Sequence, residues 1–155
     1  MSDEDHTDCV RILAETGRVD WNKRDKRGCT PLYSAMCSRR SDIVDIMLEQ
    51  PNIDYNVKTE GGNTLAQLVV HIRNVRWVET FAAEEQCHCW NVPASNGDTP
   101  IMWALKQDIT EIVKILLRCP RVDLTCRDKK GWSLVFRAIQ KNQHGKKFKI
   151  IMTFL

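Results

Sequence analysis

The residues that come nearest to a metal-binding motif are Cys87, His88 and Cys89, which place zinc-ligand types at consecutive positions. A structural zinc site usually needs two pairs of ligands to complete its tetrahedron, and this run provides a single cluster. The nearest further candidates, His71 and Cys119, fall on other predicted elements. We therefore predict that the run packs as ordinary loop and hairpin structure, with no metal and no other cofactor bound.

Catalytic chemistry has less support still. The four histidines have no serine or cysteine partner at the spacing of a nucleophile–base pair, and neither a phosphate-binding glycine loop nor a pair of carboxylates on one predicted helix face occurs. Cys37 is close to Arg39 and Arg40, which could lower the pKa of its thiol, although such loop cysteines are far more often inert. We predict no catalytic residues and a protein that is not an enzyme.

Length and composition restrict the class of protein. A chain of 155 residues has room for one ordinary domain or a short array of repeats, and 43% hydrophobic with 28% charged residues is a globular composition. Its apolar runs are far shorter than the roughly 18 residues of a membrane span, and its acidic first five residues do not resemble a secretory signal peptide. We expect an intracellular protein without membrane contact, in the cytoplasm by default and in the nucleus as the alternative.

Cysteine count and net charge bear on two further classes. Seven cysteines are an odd number in a chain too long to need disulfide bonds, so we expect reduced thiols. The net charge of +3, from 23 basic and 20 acidic residues, is too small to indicate nucleic-acid binding by itself. Nucleic acid is therefore not the expected partner, and only locally basic segments keep it as an alternative.

Four glycines recur at nearly constant spacing. Gly28, Gly62, Gly97 and Gly131 are separated by 34, 35 and 34 residues, close to the roughly 33-residue period of one repeat class. A threonine or serine stands two places after each glycine, and an alanine or valine stands seven places after it. Three landmarks with one period predict an array of repeated units.

Each landmark predicts a structural element. Glycine supplies the positive φ of a tight turn, and threonine followed by proline, as in Thr30-Pro31, caps a helix and fills its first position. A small residue within this first helix allows close packing of a second helix. The second helices are predicted to begin at a hydroxyl N-cap followed by an acidic residue, at Thr7, Ser41 and Thr110.

A fourth landmark is a large apolar residue before each turn. It is Trp21, Tyr55, Trp90 and Leu124 in successive units, and we expect these residues to stack along the array at the root of the turns. Core packing between neighbouring units is the favoured interpretation, and a surface that grips a peptide is the alternative.

These residues resemble the ankyrin repeat, whose unit reads D-x-x-G-x-T-P-L-H-x-A and later I-V-x-x-L-L. Residues 25–35 match the unit almost place for place, and residues 97–104 with 111–117 match it again. The resemblance implies an all-α solenoid of stacked helix–turn–helix units joined by β-hairpin-like loops. The departures are Tyr33, Gln67, Met102 and Phe136 in place of histidine, Leu65 and Leu134 in place of proline, and Cys89 in place of aspartate.

The repeat register divides one domain, residues 1–155, into a half unit at 1–24 and units at 25–58, 59–93, 94–127 and 128–155. An insertion at 143–147 lengthens the last unit, and the apolar helix predicted at 148–155 has no polar cap and no helix-ending glycine. We expect that the natural chain continues beyond it or that self-association covers this helix.

The resemblance implies a binding module that recognises another protein through a concave face of turns and first helices. Anion or nucleic-acid binding through basic turns is one alternative, and an accessory recognition segment of a larger enzyme or receptor is another. Trp132 is expected to act either as a partner anchor or as a lid on a neighbouring unit. The predicted partner-binding residues are Lys26, Arg27, Cys29, Asn63, His71, Asp98, Lys106, Lys129, Lys130 and Trp132.

Overall fold

The computed structural model describes residues 3–140, so the predicted insertion at 143–147 and the apolar helix at 148–155 lie outside the described residues. Two isolated antiparallel bridges occur in the described part, and one 3₁₀ turn spans Cys89–Asn91. The α-helices of this part are α1 (Asp3–Glu15), α2 (Pro31–Cys37), α3 (Ser41–Leu48), α4 (Leu65–Ile72), α5 (Val75–Ala83), α6 (Pro100–Lys106), α7 (Thr110–Arg118) and α8 (Leu134–Gln140).

The helices form antiparallel pairs that stack in series. In the units that begin at residues 25, 59 and 94, the first helices α2, α4 and α6 pack against the second helices α3, α5 and α7. Each first helix also packs on the next first helix along the chain, and α8 continues this row. The helix α1 packs on α3, as expected of a half unit that contributes a second helix alone. The predicted all-α solenoid is confirmed.

A tight turn precedes each first helix, and we name these the first (25–29), second (59–63), third (94–98) and fourth (128–132) turns. In each turn the N–H of the first residue donates to the carbonyl of the fifth at 2.9–3.1 Å. Gly28 has a φ of +74°, and a Cβ atom there would lie 3.2 Å from the backbone nitrogen of Glu60. Glycine therefore supplies both the left-handed backbone and the room for the second turn to approach.

The threonine cap is confirmed in α2 and α4, whereas Thr99 stands at the N-cap of α6 without a side-chain cap bond. The Thr30 hydroxyl accepts a hydrogen bond from the N–H of Tyr33, and Pro31 occupies the first helical position. In α4 the Thr64 hydroxyl accepts from the N–H of Gln67, while the Gln67 side chain accepts from the N–H of Thr64. This reciprocal pair starts α4 without the proline of the neighbouring units.

The hydroxyl N-caps predicted for the second helices are wrong. Ser41 and Thr110 are the first helical residues, with Arg40 and Ile109 at the N-cap and no side-chain cap bond in either helix. The residue before each N-cap has left-handed backbone, with a φ of 53° at Arg39 and 65° at Asp108, so the chain turns and becomes helical by the following hydroxyl residue.

In the half unit the predicted cap residue Thr7 lies inside α1, because this helix begins at Asp3. In α3 and α7 the predicted acidic residue is present in the first helical turn, as Asp42 and Glu111 respectively. The charge pattern of these helices was thus predicted correctly, whereas their caps were not.

The apolar residues before the turns belong to the core. Tyr55 and Trp90 are 6% and 1% exposed, and Trp21 and Leu124 are partly buried against the core. The Tyr55 ring meets the edge of Phe81 at a centroid distance of 5.0 Å. The interpretation as core packing is confirmed for Tyr55 and Trp90, which are too deeply buried to bind a peptide at the surface, and it stays a prediction for the partly exposed Trp21 and Leu124.

Asparagines one period apart connect successive units. The Asn22 amide donates to the Asn52 carbonyl at 2.7 Å and accepts from the N–H of Asp54 at 2.8 Å. Asn56 and Asn91 make the same two bonds to the corresponding loops of the units that follow them. Each amide therefore fixes the spacing between neighbouring units with one donor and one acceptor.

Candidate functional site

The turns and first helices enclose a groove along one side of the solenoid. Its two adjoining pockets share Tyr33. The N-terminal pocket, of about 500 Å³, is lined by Arg27, Cys29, Tyr33, Ser34, Cys37, Ser38, Thr59, Glu60 and Gly61. The central pocket, of about 340 Å³, is lined by Tyr33, Asn63, Gln67, Leu68, His71, Ala94, Ser95, Asn96, Asp98, Pro100 and Trp103.

The predicted site residues divide between these pockets and their surroundings. Arg27 and Cys29 line the N-terminal pocket, and Asn63, His71 and Asp98 line the central pocket. The remaining predicted residues, which line neither pocket, are Lys26, Lys106, Lys129, Lys130 and Trp132.

Aromatic rings and a fixed amide form the central pocket. The rings of His71 and Trp103 lie 4.9 Å apart, so one wall spans α4 and α6. The Gln67 side chain donates to the carbonyl of Val92 at 3.0 Å and also accepts from Thr64, which holds it in place. The wall is therefore a preformed surface whose amide is already bonded within the protein.

Asp98 is not the exposed turn residue that the repeat register predicts. It is 1% exposed, and its carboxylate accepts a hydrogen bond from Lys106 at 2.6 Å and lies 3.5 Å from Arg137. Asn96 also donates to this carboxylate, at 2.9 Å. Several donors from different elements converge on Asp98, so the side chain turns inward as an internal counter-ion.

Arg137 extends this ionic network to the fourth turn. Its guanidinium donates to the Asp128 carboxylate through Nε at 2.7 Å and through a second nitrogen. Burial acts to raise the pKa of Asp128, but the N–H of Trp132 and the charge of Arg137 outweigh it, so the pKa lies below its ordinary value of 3.8. With Lys106 and Asp98, the four side chains neutralise one another.

The basic residues of the fourth turn remain outside this network. Lys129 lies over the third turn, where its Nζ donates to the carbonyl of Ser95 and its stem covers Gly97. In the first turn Lys26 is exposed, and Arg27 is 3.4 Å from the carboxylate of Asp25. The two basic turns therefore differ at their equivalent lysines. The Lys129 ammonium reaches the rim of the central pocket, whereas Lys26 lines neither pocket.

Trp132 lies against residues of its own unit. Its ring centroid is 4.9 Å from that of Phe136, and the cationic groups of Lys130 and Arg137 lie 5.2 and 5.4 Å from it. Phe136 is 48% exposed, so the pair presents an aromatic surface flanked by two cations.

The cysteine–histidine run at 87–89 leads into the 3₁₀ turn Cys89–Asn91. Cys87 and Cys89 are 0% and 2% exposed with their sulfur atoms 3.1 Å apart, whereas His88 is exposed. The hydrogen bond from Cys89 lowers the pKa of the Cys87 thiol and raises that of the Cys89 thiol. Within residues 3–140, no group of three histidine, cysteine or acidic side chains could hold a metal ion.

Cys37 does not have the lowered pKa that its neighbouring arginines suggest. Loss of solvation raises the pKa of this thiol, and the nearby Cys29 raises it further. The alternative of an activated thiolate is therefore wrong, because the protonated form is favoured at neutral pH.

Two groove residues escaped the sequence prediction although they carried a signal. Tyr33 and Gln67 occupy the place where the repeat pattern usually has histidine, and both line the central pocket. Trp103 gave no such signal, because a tryptophan in an apolar helix is also an ordinary core residue. Its role depends on its contact with His71 of the preceding unit.

Paired helices stacked in series, with a glycine turn at each step, define the class of helical repeat proteins. A family model described as "Ankyrin repeats (3 copies)" matches residues 2–59, and one described as "Ankyrin repeat" matches residues 96–129. Together they cover more than half of the sequence. The chain belongs to the ankyrin repeat family.

Solved structures show the same fold. An ankyrin repeat domain of Acinetobacter baumannii AYE superposes with a TM-score of 0.76 at 20% identity, over 96% of this chain and 78% of that one. The ankyrin repeat protein EF0377 superposes with a TM-score of 0.75 at 15% identity, over 96% of this chain and 74% of that one. Ankyrin repeats are generally protein–protein interaction modules, and the fold is typically a non-catalytic scaffold.

One curated relative is much longer than this chain. Alpha-latrotoxin-Lg1a of Latrodectus geometricus is 28% identical over 72 residues, which are 45% of this chain and 5% of that protein. The chain thus spans a small fraction of the relative it matches. None of the helices between residues 3 and 140 has the length and apolar character to cross a membrane.

Proposed function

We propose that this protein is a non-catalytic recognition module that binds another protein in the groove between the turns and first helices. The observation that carries the proposal is the pair of adjoining pockets that share Tyr33 and run across consecutive units. Successive helices pack about 8–10 Å apart, so the four turns extend over about 25–30 Å. An extended segment of about eight residues spans that length.

The charge distribution supports a protein partner with acidic character. The turns and first helices, at 25–37, 59–72, 94–106 and 128–139, contain six basic and four acidic residues. The second helices and the residues after them, at 41–49, 75–85 and 110–118, contain three basic and seven acidic residues. An acidic partner is therefore attracted to the groove side and repelled by the opposite side.

The same distribution favours protein over nucleic acid. A phosphate backbone needs a continuous series of cations, but the second turn carries Glu60 and the third turn has Ser95 and Asn96. The basic first and fourth turns are thus separated by two turns without a cation. Weak binding to DNA or RNA is expected, and it should disappear at moderate salt concentration.

The groove chemistry supports a binding role over a catalytic one. Burial raises the pKa of the Cys29 and Cys37 thiols, so neither is an activated nucleophile. The Asp98 carboxylate is occupied by Lys106 and Arg137. These groups are arranged to hold the groove in shape.

A differential capture experiment tests the proposal. The full chain, a groove variant with Arg27→Glu and His71→Glu, and a control with Glu49→Lys and Glu79→Lys are used to capture proteins from source cells. All four substituted residues are exposed. We expect a partner that binds the wild type and the control but not the groove variant. Equal capture by all three proteins, with unchanged melting temperatures, would contradict binding in the groove.

A further inference from the structure

We propose that the central pocket binds one large apolar side chain of an extended partner segment, and that Lys129 pairs with an acidic residue near that side chain. This inference rests on the proposed function, because it names the chemistry of the segment that occupies the groove.

The pocket walls select an apolar side chain. Trp103, His71, Leu68 and Tyr33 supply aromatic and aliphatic surface from three successive units. The volume of about 340 Å³ lies at the lower end of the range for ligand pockets, roughly 300–1,000 Å³, and suits one side chain with its backbone.

The polar groups of the pocket do not require a polar ligand. Gln67 is bonded to Thr64 and Val92, and Asn96 donates to Asp98. An apolar side chain that displaces water therefore leaves the hydrogen bonds of Gln67 and Asn96 intact.

Lys129 places a positive charge at the edge of this pocket. Its Nζ donates to the carbonyl of Ser95, and Ser95 itself lines the pocket. An ammonium group has three donors, so two remain for a carboxylate of the partner. The stem crosses the third turn over Gly97, where the absence of a side chain leaves room for it.

Among the described residues of the third and fourth turns, neither carboxylate is left to pair with Lys129. Asp98 and Asp128, the nearest acidic side chains of the third and fourth turns, are paired with Lys106 and Arg137. At the opposite end of the groove Arg27 lies close to Asp25, and Glu60 lines the same pocket. Attraction for an acidic residue is therefore concentrated at the fourth turn.

The spacing follows from the repeat geometry. One unit step is about 8–10 Å, and an extended chain advances about 3.3–3.6 Å per residue. The acidic residue should therefore lie within about three residues of the apolar anchor. No second acidic residue is required at the other end, where the charges of Arg27 and Glu60 oppose each other.

A peptide library identifies the preferred segment. Phage displaying random twelve-residue peptides are selected on the full chain, and selected peptides are titrated into ¹⁵N-labelled protein. We expect an aromatic or large aliphatic residue with aspartate or glutamate within about three positions. The indole N–H signal of Trp103 should shift on binding, while that of Trp21, outside the groove, should stay in place.

A pair of charge reversals tests the role of Lys129. Lys129→Glu and Lys26→Glu change the same position of two equivalent turns, Asp-Lys-Lys-Gly and Asp-Lys-Arg-Gly. We expect Lys129→Glu to lower the affinity for the selected peptides about tenfold and Lys26→Glu to change it by less than about twofold. Replacing the peptide's acidic residue by its amide should remove the difference between the variants.

The outcomes separate this inference from the proposed function. Selected peptides that shift the Trp103 indole signal but lack an acidic residue would overturn the inference and leave groove binding intact. The same holds if Lys129→Glu and Lys26→Glu lower the affinity for the peptides equally. Peptides that bind without shifting Trp103, and that tolerate Arg27→Glu with His71→Glu, would contradict both. Failure to select any peptide would overturn the inference, since a preformed pocket should bind a short segment.

Discussion

The junctions between successive units are of two kinds. The first three are bridged by Asn22, Asn56 and Asn91, each of which makes two neutral hydrogen bonds to the following unit. At the equivalent position before the last unit stands Thr125, whose hydroxyl donates to Asp123 within the same loop. There α8 packs on α6, and the described polar side-chain contacts between the units run from Arg137 to the buried Asp98 and from Lys129 to Ser95. Ion pairs also cross the first two junctions, from Arg24 to Asp54 and from Arg76 to Asp45, but their side chains are more exposed.

The comparison indicates how one repeat array can combine stable junctions between units with a surface that binds a partner. Neutral amide bridges respond weakly to salt and pH, so they suit junctions that only hold the units in register. The ionic junction brings positive charge to the groove and also makes this part of the array sensitive to protonation. The two pockets of the candidate site lie at the second and third junctions, and the fourth junction contributes Lys129 at the rim of the central pocket.

The largest expected effect comes from removing one cation of the ionic network around Asp98. Lys106→Met should lower the free energy of unfolding by about 2 kcal/mol, because it removes a charged partner at 2.6 Å from the 1%-exposed Asp98. Urea unfolding measures this change. Lys114→Met, which removes an exposed pair with Glu111, serves as the control and should cost less than about 0.5 kcal/mol. Equal effects of the two substitutions would show that the buried network adds no stability.

An amide bridge should matter somewhat less. Asn56→Ala removes one donor and one acceptor and should lower the free energy of unfolding by about 1.5 kcal/mol. Unlike the change at Lys106, this loss should be nearly the same in 0.05 and 1 M salt, because the bonds join neutral groups. A strong salt dependence of the Asn56 effect would erase the proposed distinction between the junctions.

Acid should weaken the part of the ionic network in which Arg137 holds Asp128. The pKa of Asp128 is lowered in the folded protein, so its stabilising contribution is present above the ordinary value of 3.8 and is lost as the pH falls through the folded pKa. Hydrogen exchange at pH 6 and pH 3 should show a larger loss of protection in α8 than in α4. Asp128→Asn should reduce this difference, and an unchanged difference would locate the acid sensitivity elsewhere.

Much of the fold could be predicted because the residues that specify the turns and helix starts lie next to those elements in the sequence. Thr30-Pro31 and Thr99-Pro100 start first helices at the predicted residues, and Gly28 takes the predicted positive φ. Backbone conformation and capping depend on neighbouring residues, so the repeat period was enough to place them. The caps of the second helices were missed because Arg39 and Asp108 adopt left-handed backbone that their residue types do not announce.

The sequence by itself determined the family, the helices, the turns and the unit length. Only the tertiary structure decided that Asp98 is buried, that Tyr33 and Trp103 share a pocket, and that Lys129 reaches Ser95. These relations join residues of different units. Lys129 and Ser95 are 34 positions apart in the sequence, and Arg137 and Asp98 are 39 positions apart. A repeat pattern fixes which positions are equivalent, but the side chains that meet between units depend on how closely those units pack.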